Sequence, residues 1–228
     1  MISVVLIEPE TSGNLGAIAR IMANFDFKEL ILINPKCKID EDARNRAKHA
    51  QTILDKAKIK EFDYLKKFDY KIATTAKLGT DYNIPRCPLS PEEFANKVCS
   101  LDKKTKLALI IGREGIGLTN EEIADCDFTV SIPVSKTYPT LNISHALTVI
   151  LYELFKKSGE KNTDVITPIS AIEKKQLMKL FNKVFDKLEF ATPDKKETQK
   201  TLWKKIIGKA FLTKRESFAM MGFLKKLL

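Results

Sequence analysis

The stretch LALIIGREGIGLTNEEI, residues 107–123, decides the fold class. Its first five residues, Leu107–Ile111, are all apolar and predict a buried strand. The strand ends in a glycine-rich turn that carries two opposite charges. Thr119 and Glu122 then have the spacing of a capping box, which predicts the start of a helix. A buried strand that runs into a polar turn and a helix is typical of a parallel sheet covered by helices, where ligands bind at the carboxyl ends of the strands.

The same alternation of strand and helix recurs before residue 160. Apolar runs predict strands at Ile2–Ile7, Leu30–Ile33, Lys71–Thr75, Leu107–Ile111 and Phe128–Ile132. Helices are predicted at Leu15–Phe25, Glu41–Lys58, Pro91–Cys99, Asn120–Ala124 and Ile143–Lys157. Capping-box spacing at Ser90 and Glu93 supports one of these helix starts. Short unbroken apolar strands between helices indicate an α/β fold with a mainly parallel sheet.

Most of the positive charge lies in the last third of the chain. Residues 160–228 contain 16 Lys and Arg against 8 Asp and Glu, while the whole chain has a net charge of +10. Apolar residues at three- and four-residue spacing predict two to three helices there, the last of them capped by Thr213 and Glu216. We expect a domain at 1–158, a linker at 159–168 and a basic helical extension at 169–228. The excess of lysine favours a polyanionic partner, or else a solvated helix surface.

Composition excludes several classes of protein. The apolar runs are too short to span a bilayer, and the amino terminus reads as a strand without the pattern of a signal peptide. The four cysteines form no C-x-x-C pair and the chain has only two histidines, so we expect reduced thiols and no metal site. These features predict a cytoplasmic protein.

Two further polar stretches follow predicted strands. PETSGNLGAIARIM, residues 9–22, offers Gly13 and Gly16 for close approach to a ligand. Asn14 either caps the helix or holds a substrate oxygen, and Arg20 is either functional or a solvent-facing charge. SIPVSKTYPTLNISHALTVILYE, residues 131–153, is a polar loop that runs into an apolar helix. In the opening stretch itself, the two charges of the turn could pair with each other.

Together the three stretches resemble the SPOUT methyltransferases, the trefoil-knotted α/β class that uses S-adenosylmethionine. PETSGNLGAIAR is similar to motif one of the 2′-O-ribose branch, IIGREGIGLTNEE to motif two, and IPVSKTYPTLNISHALTVILYE to motif three. The match covers roughly residues 1–155 in the same order. GREGIGLTNEE and TLN resemble the J-type tRNA 2′-O-methyltransferases, which modify ribose 32 of the anticodon loop.

The resemblance implies a trefoil knot, a homodimer with tRNA as its partner, and specific functional residues. The cofactor would be held by Thr74, Thr75, Ala76, Gly112, Arg113, Glu114, Gly115, Ile132, Thr140, Leu141 and Asn142. Arg20, Asn14 and Ser144 would be catalytic, and Arg20, Arg86, Tyr138 and Thr140 would contact RNA. Alternatives are a 2′-O-methyltransferase for rRNA or another tRNA site, a non-catalytic RNA-binding protein, and a nucleotide enzyme with an unknotted doubly wound sheet.

Overall fold

The computed structural model describes residues 1–76, 88–159 and 167–228, and its centre is a six-stranded sheet in the order β3-β2-β1-β5-β4-β6. All pairings are parallel. The strands are β1 (Ile2–Ile7), β2 (Leu30–Ile33), β3 (Lys58–Lys60), β4 (Tyr70–Thr74), β5 (Leu107–Ile111) and β6 (Phe128–Val130). The predicted α/β class with a parallel sheet is confirmed.

Helices cover both faces of this sheet. The α-helices are α1 (Ser12–Asn24), α2 (Glu41–Ala47), α3 (Gln51–Asp55), α4 (Pro91–Cys99), α5 (Asn120–Asp125), α6 (Ile143–Ser158), α7 (Ala171–Lys187), α8 (Pro193–Ala210) and α9 (Lys214–Lys226). One hydrophobic cluster packs α1, α4 and α6 against the sheet, and a second on the other face includes Leu118 and Ile123 near α5. β1 and β5 are buried in the middle of the sheet, which explains their unbroken apolar sequences.

The prediction of one helix over Glu41–Lys58 is wrong. α2 ends at Ala47, and Lys48 has a φ of 52°, a left-handed conformation that interrupts the helix. A short 3₁₀ turn and α3 follow before β3. All three residues of β3 are exposed at the edge of the sheet, so this strand lacks the apolar pattern that identifies a buried strand.

The C-terminal extension packs closely against the first domain. Phe211 lies in the main core, where its ring centre is 4.8 Å from that of Tyr70 and 5.6 Å from that of Phe128. Lys174 of α7 forms a 2.6 Å ion pair with the buried Asp127. A Cβ on Gly208 of α8 would lie 2.5 Å from the carbonyl oxygen of Asp127, so the two backbones are in direct contact. The extension therefore binds where β4 and β6 begin, and the linker 159–168 lies mostly outside the described residues.

Candidate cofactor and RNA site

A cavity of about 580 Å³ opens where β4, β5 and β6 end. Three loops that follow these strands surround it. Its described walls consist of Thr74, Thr75, Ala76, Ile111, Gly112, Arg113, Gly115, Ile116, Gly117, Leu118, Thr119, Asn120, Glu121, Val130, Ile132, Val134, Pro139, Thr140, Leu141, Ile143, Ala146 and Ile150. Its position at the carboxyl edge of a parallel sheet is the one expected for a ligand site.

The structure brings most of the predicted cofactor residues to this cavity. All of them line its walls except Glu114 and Asn142, which lie behind the walls and contact motif one. Of the predicted RNA-binding residues, Thr140 lines the cavity and Tyr138 is 77% exposed in the same loop. Arg86 lies outside the described residues. The placement does not by itself assign a role to any of these side chains, so their roles stay predictions.

The turn after β5 has a geometry that glycine makes possible. Arg113 and Gly117 pair through two backbone hydrogen bonds, of 3.2 and 3.0 Å, and leave three residues at the tip. Gly115 and Gly117 have φ values of 82° and 74°, which side chains rarely tolerate. A Cβ on Gly112 would lie 2.2 Å from the carbonyl carbon of Gly117. The tight turn places backbone groups at the cavity wall.

Arg113 is held by two carboxylates. Its guanidinium donates to Glu8 at 3.1 Å and to both carboxylate oxygens of Glu122, at 3.0 and 2.9 Å. Its side chain is 11% exposed. The hydrogen bond with Glu122 and the one with Glu8 raise the pKa of Arg113, while desolvation by burial opposes this increase. Arg113 and Glu114 therefore bind separate partners, and the alternative of an ion pair between them is wrong.

Glu114 joins the turn to motif one. Its carboxylate accepts hydrogen bonds from the backbone N–H groups of Glu10 (3.0 Å) and Thr11 (3.2 Å), and from Nδ2 of Asn14 (3.1 Å). Partial burial alone would raise the pKa of Glu114, but these hydrogen bonds together bring it below its ordinary value. Glu114 is thus kept ionised, and it fixes the position of the Asn14 amide.

Asn14 also contacts the third motif. Its Oδ1 accepts a 3.3 Å hydrogen bond from Nδ2 of Asn142. Asn142 caps α6, and its own Oδ1 accepts hydrogen bonds from the backbone N–H and the hydroxyl of Ser144, both at 2.8 Å. Asn14 does not cap its own helix, because the N-cap of α1 is Thr11. A continuous chain of hydrogen bonds therefore runs from Glu114 through Asn14 and Asn142 to Ser144 and connects all three motifs.

The remaining residues of motif one face in other directions. Gly13 and Gly16 were expected to approach a ligand, but a Cβ on either would collide with α2, in the case of Gly16 at 2.1 Å from the carbonyl oxygen of Ala43. Their small size serves helix packing. Arg20 is exposed on α1, and among the described residues it has no ion-pair or hydrogen-bond partner. Its guanidinium is available to an external group.

Several residues of the site could not be found from the motifs. Glu8, the ion-pair partner of Arg113, follows β1 directly and has a left-handed backbone with a φ of 44°. Glu122 was predicted only as a helix cap, and it fills that role while also binding Arg113. The sequence signal for both is a carboxylate beside a strand end, which is too common to be specific. Within the described residues, no cluster of His, Cys, Asp or Glu could hold a metal ion, and no helix could cross a membrane.

Comparison with known proteins agrees with this geometry. A profile of the SpoU rRNA Methylase family matches residues 1–152. The tRNA (cytidine-2'-O-)-methyltransferase TrmJ of Methanocaldococcus jannaschii is 42% identical over 229 residues. The alignment covers 99% of this chain and 99% of that relative. A probable methylase family protein from Haemophilus influenzae superposes with a TM-score of 0.66 at 28% identity, covering 99% of this chain and 95% of its own. The SpoU methyltransferase AviRb from Streptomyces viridochromogenes, solved with AdoMet, superposes with a TM-score of 0.52 at 21% identity. The match covers 70% of this chain and 58% of AviRb.

The parallel sheet, the cavity at its carboxyl edge and these likenesses define an α/β RNA methyltransferase with the SPOUT fold. The chain belongs to the SpoU methylase family. The trefoil knot stays a prediction from the resemblance.

Proposed function

We propose that this protein methylates the ribose 2′-hydroxyl of tRNA, and that its target is nucleotide 32 of the anticodon loop. The observation that carries the proposal is the hydrogen-bond chain from Glu114 to Ser144, because it ties Asn14 of motif one to both loops of the cavity. The full-length relative from Methanocaldococcus, a tRNA (cytidine-2'-O-)-methyltransferase, supports tRNA as the substrate. A tRNA substrate is consistent with the cytoplasmic location expected from the sequence.

The cavity suits S-adenosylmethionine. Its volume of about 580 Å³ lies in the range of small-molecule sites. Apolar side chains such as Ile132 and Leu141 can cover a purine ring, while the glycine backbone and threonine hydroxyls can bind ribose and base edges. Among the described residues of its wall the charged ones are Arg113 and Glu121, and Arg113 is already paired with carboxylates. No free cation in the described wall would repel a sulfonium.

When bound, S-adenosylmethionine supplies an electrophilic methyl group for in-line displacement. The protein must then orient the ribose hydroxyl and stabilise the negative charge that develops on its oxygen. Asn14 is held on both sides of its amide, so we assign it the task of orienting the ribose or Arg20. Arg20 binds phosphate and stabilises the developing alkoxide, because a guanidinium keeps its protons and does not readily act as a base. Ser144 braces the loop through Asn142.

We infer that Arg20 serves the cavity of a second copy of the chain. Asn14 and Arg20 are six residues apart on α1, so they project about 120° apart around the helix axis. α6 beside α1 also exposes apolar side chains: Val149 is 37% exposed, Tyr152 50% and Phe155 43%. Such a contiguous apolar surface is typical of a protein interface. We therefore propose a homodimer in which Arg20 of each subunit acts in the site of the partner subunit.

Contacts with the RNA backbone would position the substrate. Tyr138 and Thr140 are the proposed RNA contacts in the cavity loop. Arg86, outside the described residues, is proposed as a further RNA contact from the sequence, and the lysines of the extension add a positive field. Phosphate contacts of this kind give affinity that falls with salt and carries little sequence information.

The test is to find the methylated nucleotide. Purified protein is incubated with S-adenosylmethionine and a tRNA transcript, and the RNA is digested and analysed by mass spectrometry. We expect a 2′-O-methyl group at nucleotide 32, and loss of turnover in Arg20→Ala with donor binding retained. Methylation of rRNA alone, or of another tRNA position, would refute the proposed substrate. Tight tRNA binding without any methyl transfer would show a binding protein.

A further inference from the structure

The short helix α5 reaches from the cofactor cavity to the C-terminal extension. Thr119, Asn120 and Glu121 at its amino end line the cavity. At its carboxyl end, two lysines of α8 bind its carbonyl groups. α5 has six residues, so its two ends are about 9 Å apart. The extension therefore contacts the same helix that forms part of the cavity wall.

A helix of this length has no stable position of its own. Isolated helices shorter than about 12 residues are marginal in water, so contacts with neighbouring elements must hold α5 in place. At the amino end Thr119 and Glu122 form a capping box, and Glu122 also binds Arg113 of the cavity turn. In the middle, Ile123 is 1% exposed and packs on the sheet. These contacts fix the amino end and the middle of α5. At its carboxyl end the backbone N–H of Cys126 donates to the carbonyl oxygen of Ile123, and further donors to this end come from outside the helix.

The extension supplies donors to the carboxyl end of α5. Nζ of Lys205, a residue that is only 4% exposed, donates to the carbonyl oxygens of Ile123 and Cys126, both at 2.9 Å. Nζ of Lys204 donates to the carbonyl oxygen of Ala124 at 2.7 Å. A cation at the carboxyl end of a helix is favourable for the helix dipole as well as for the hydrogen bonds. Lys205 thus joins two carbonyl groups at the end of α5 to the extension.

We propose that Lys205 and Lys204 are positioning residues for S-adenosylmethionine, acting through α5. By holding its carboxyl end they fix the cavity wall at its amino end, and the Glu122–Arg113 ion pair passes the constraint on to the turn after β5. The extension then contributes to cofactor binding from the edge of the sheet opposite the cavity. This inference rests on the proposed use of the cavity by S-adenosylmethionine.

Calorimetry with S-adenosylmethionine on the full-length protein tests this inference. Lys205→Met keeps the length of the side chain and removes its donors, and Lys204→Met does the same at a more accessible site. Lys200→Met is the matched control, since Lys200 lies on α8 and pairs with Glu197 of its own helix. We expect the Kd to rise about 3- to 30-fold in Lys205→Met, less in Lys204→Met, and not at all in Lys200→Met.

Two further readouts separate positioning from general loss of structure. Amide hydrogen exchange within Asn120–Asp125 should become faster in Lys205→Met and not in Lys200→Met, at a temperature where circular dichroism shows both variants folded. The KM for S-adenosylmethionine should rise while the KM for tRNA stays constant. Should Lys205→Met not fold, Lys204→Met decides the question.

The result that overturns the inference is wild-type affinity for S-adenosylmethionine in folded Lys205→Met, or in Lys204→Met where the first variant does not fold. A failure of the proposed function looks different. In that case wild-type protein itself does not bind S-adenosylmethionine, or distorting the cavity turn with Gly112→Ala leaves binding unchanged.

Discussion

The lowered pKa of Lys205 makes the free energy of unfolding depend on pH. The residue is 4% exposed, and burial is the main reason that its pKa falls from 10.5 to about 8. In the unfolded chain the lysine keeps its proton up to about pH 10.4. Between these two values the unfolded state binds more protons than the folded state, so the free energy of unfolding rises with pH. The destabilising contribution of Lys205 is complete below pH 8 and disappears as the pH rises toward 10.5.

The size of the effect follows from the same two values. A pKa lowered from 10.5 to about 8 corresponds to about 3 kcal/mol over the whole range, of which about 2 kcal/mol is regained between pH 7 and pH 9.5. Lys205→Met lacks the titrating group. Because the other ionisable groups are common to the two proteins, their contributions largely cancel when the stability of the variant is subtracted from that of the wild type. We expect the free energy of unfolding of the wild type, minus that of Lys205→Met, to increase by about 2 kcal/mol from pH 7 to pH 9.5.

Urea denaturation at the two pH values measures the difference. Lys200→Met is the control, because Lys200 is ion-paired with Glu197 and its pKa is raised by that hydrogen bond, so it stays protonated throughout this range. Its difference from the wild type should not change with pH. The reasoning is refuted if the stability of the wild type relative to Lys205→Met is the same at both pH values, or is lower at pH 9.5 than at pH 7.

Three further changes test the cavity and the dimer. In Gly112→Ala the new Cβ lies 2.2 Å from Gly117, so calorimetry should show a Kd for S-adenosylmethionine raised at least ~10-fold; unchanged affinity contradicts the cavity assignment. Glu114→Gln loses the charge that holds Asn14, and single-turnover methylation should slow ~10-fold with the melting temperature nearly unchanged; a wild-type rate excludes the bracing role. Tyr152→Glu should sediment as a monomer where wild type sediments as a dimer; equal mass for the two proteins contradicts the α1–α6 interface.

Local signals in the sequence predicted the elements well. The apolar runs gave five of the strands, and the capping boxes at Thr119 and Thr213 mark helix starts that the structure confirms. These signals depend on residues a few positions apart, so no tertiary information is needed to read them. β3 was missed for the same reason: an exposed edge strand with two lysines has no apolar pattern.

Contacts between distant parts of the chain could not be predicted in this way. Glu8 and Arg113 are 105 residues apart and meet only because β1 and β5 are neighbours in the sheet. The lysines of the extension show the same limitation. A lysine-rich amphipathic helix suggests a solvated surface, yet Lys205 is buried against carbonyl groups of the first domain and Lys174 is largely covered beside a carboxylate there. Which lysine of a helix is buried depends on the partner surface, and that surface is absent from local sequence.

The two charges after β5 explain why the site is built as it is. A wall made of separate loops needs strong contacts between the loops, and bare glycine backbone cannot supply them. Arg113 supplies one such contact by binding carboxylates that follow β1 and begin α5, and Glu114 supplies another by binding motif one. Both charges are therefore used within the protein, and in our proposal the glycine backbone, hydroxyls and apolar side chains of the wall bind the cofactor. Charged residues at the mouth of an apolar strand here fix the geometry of a cavity whose ligand they do not need to touch.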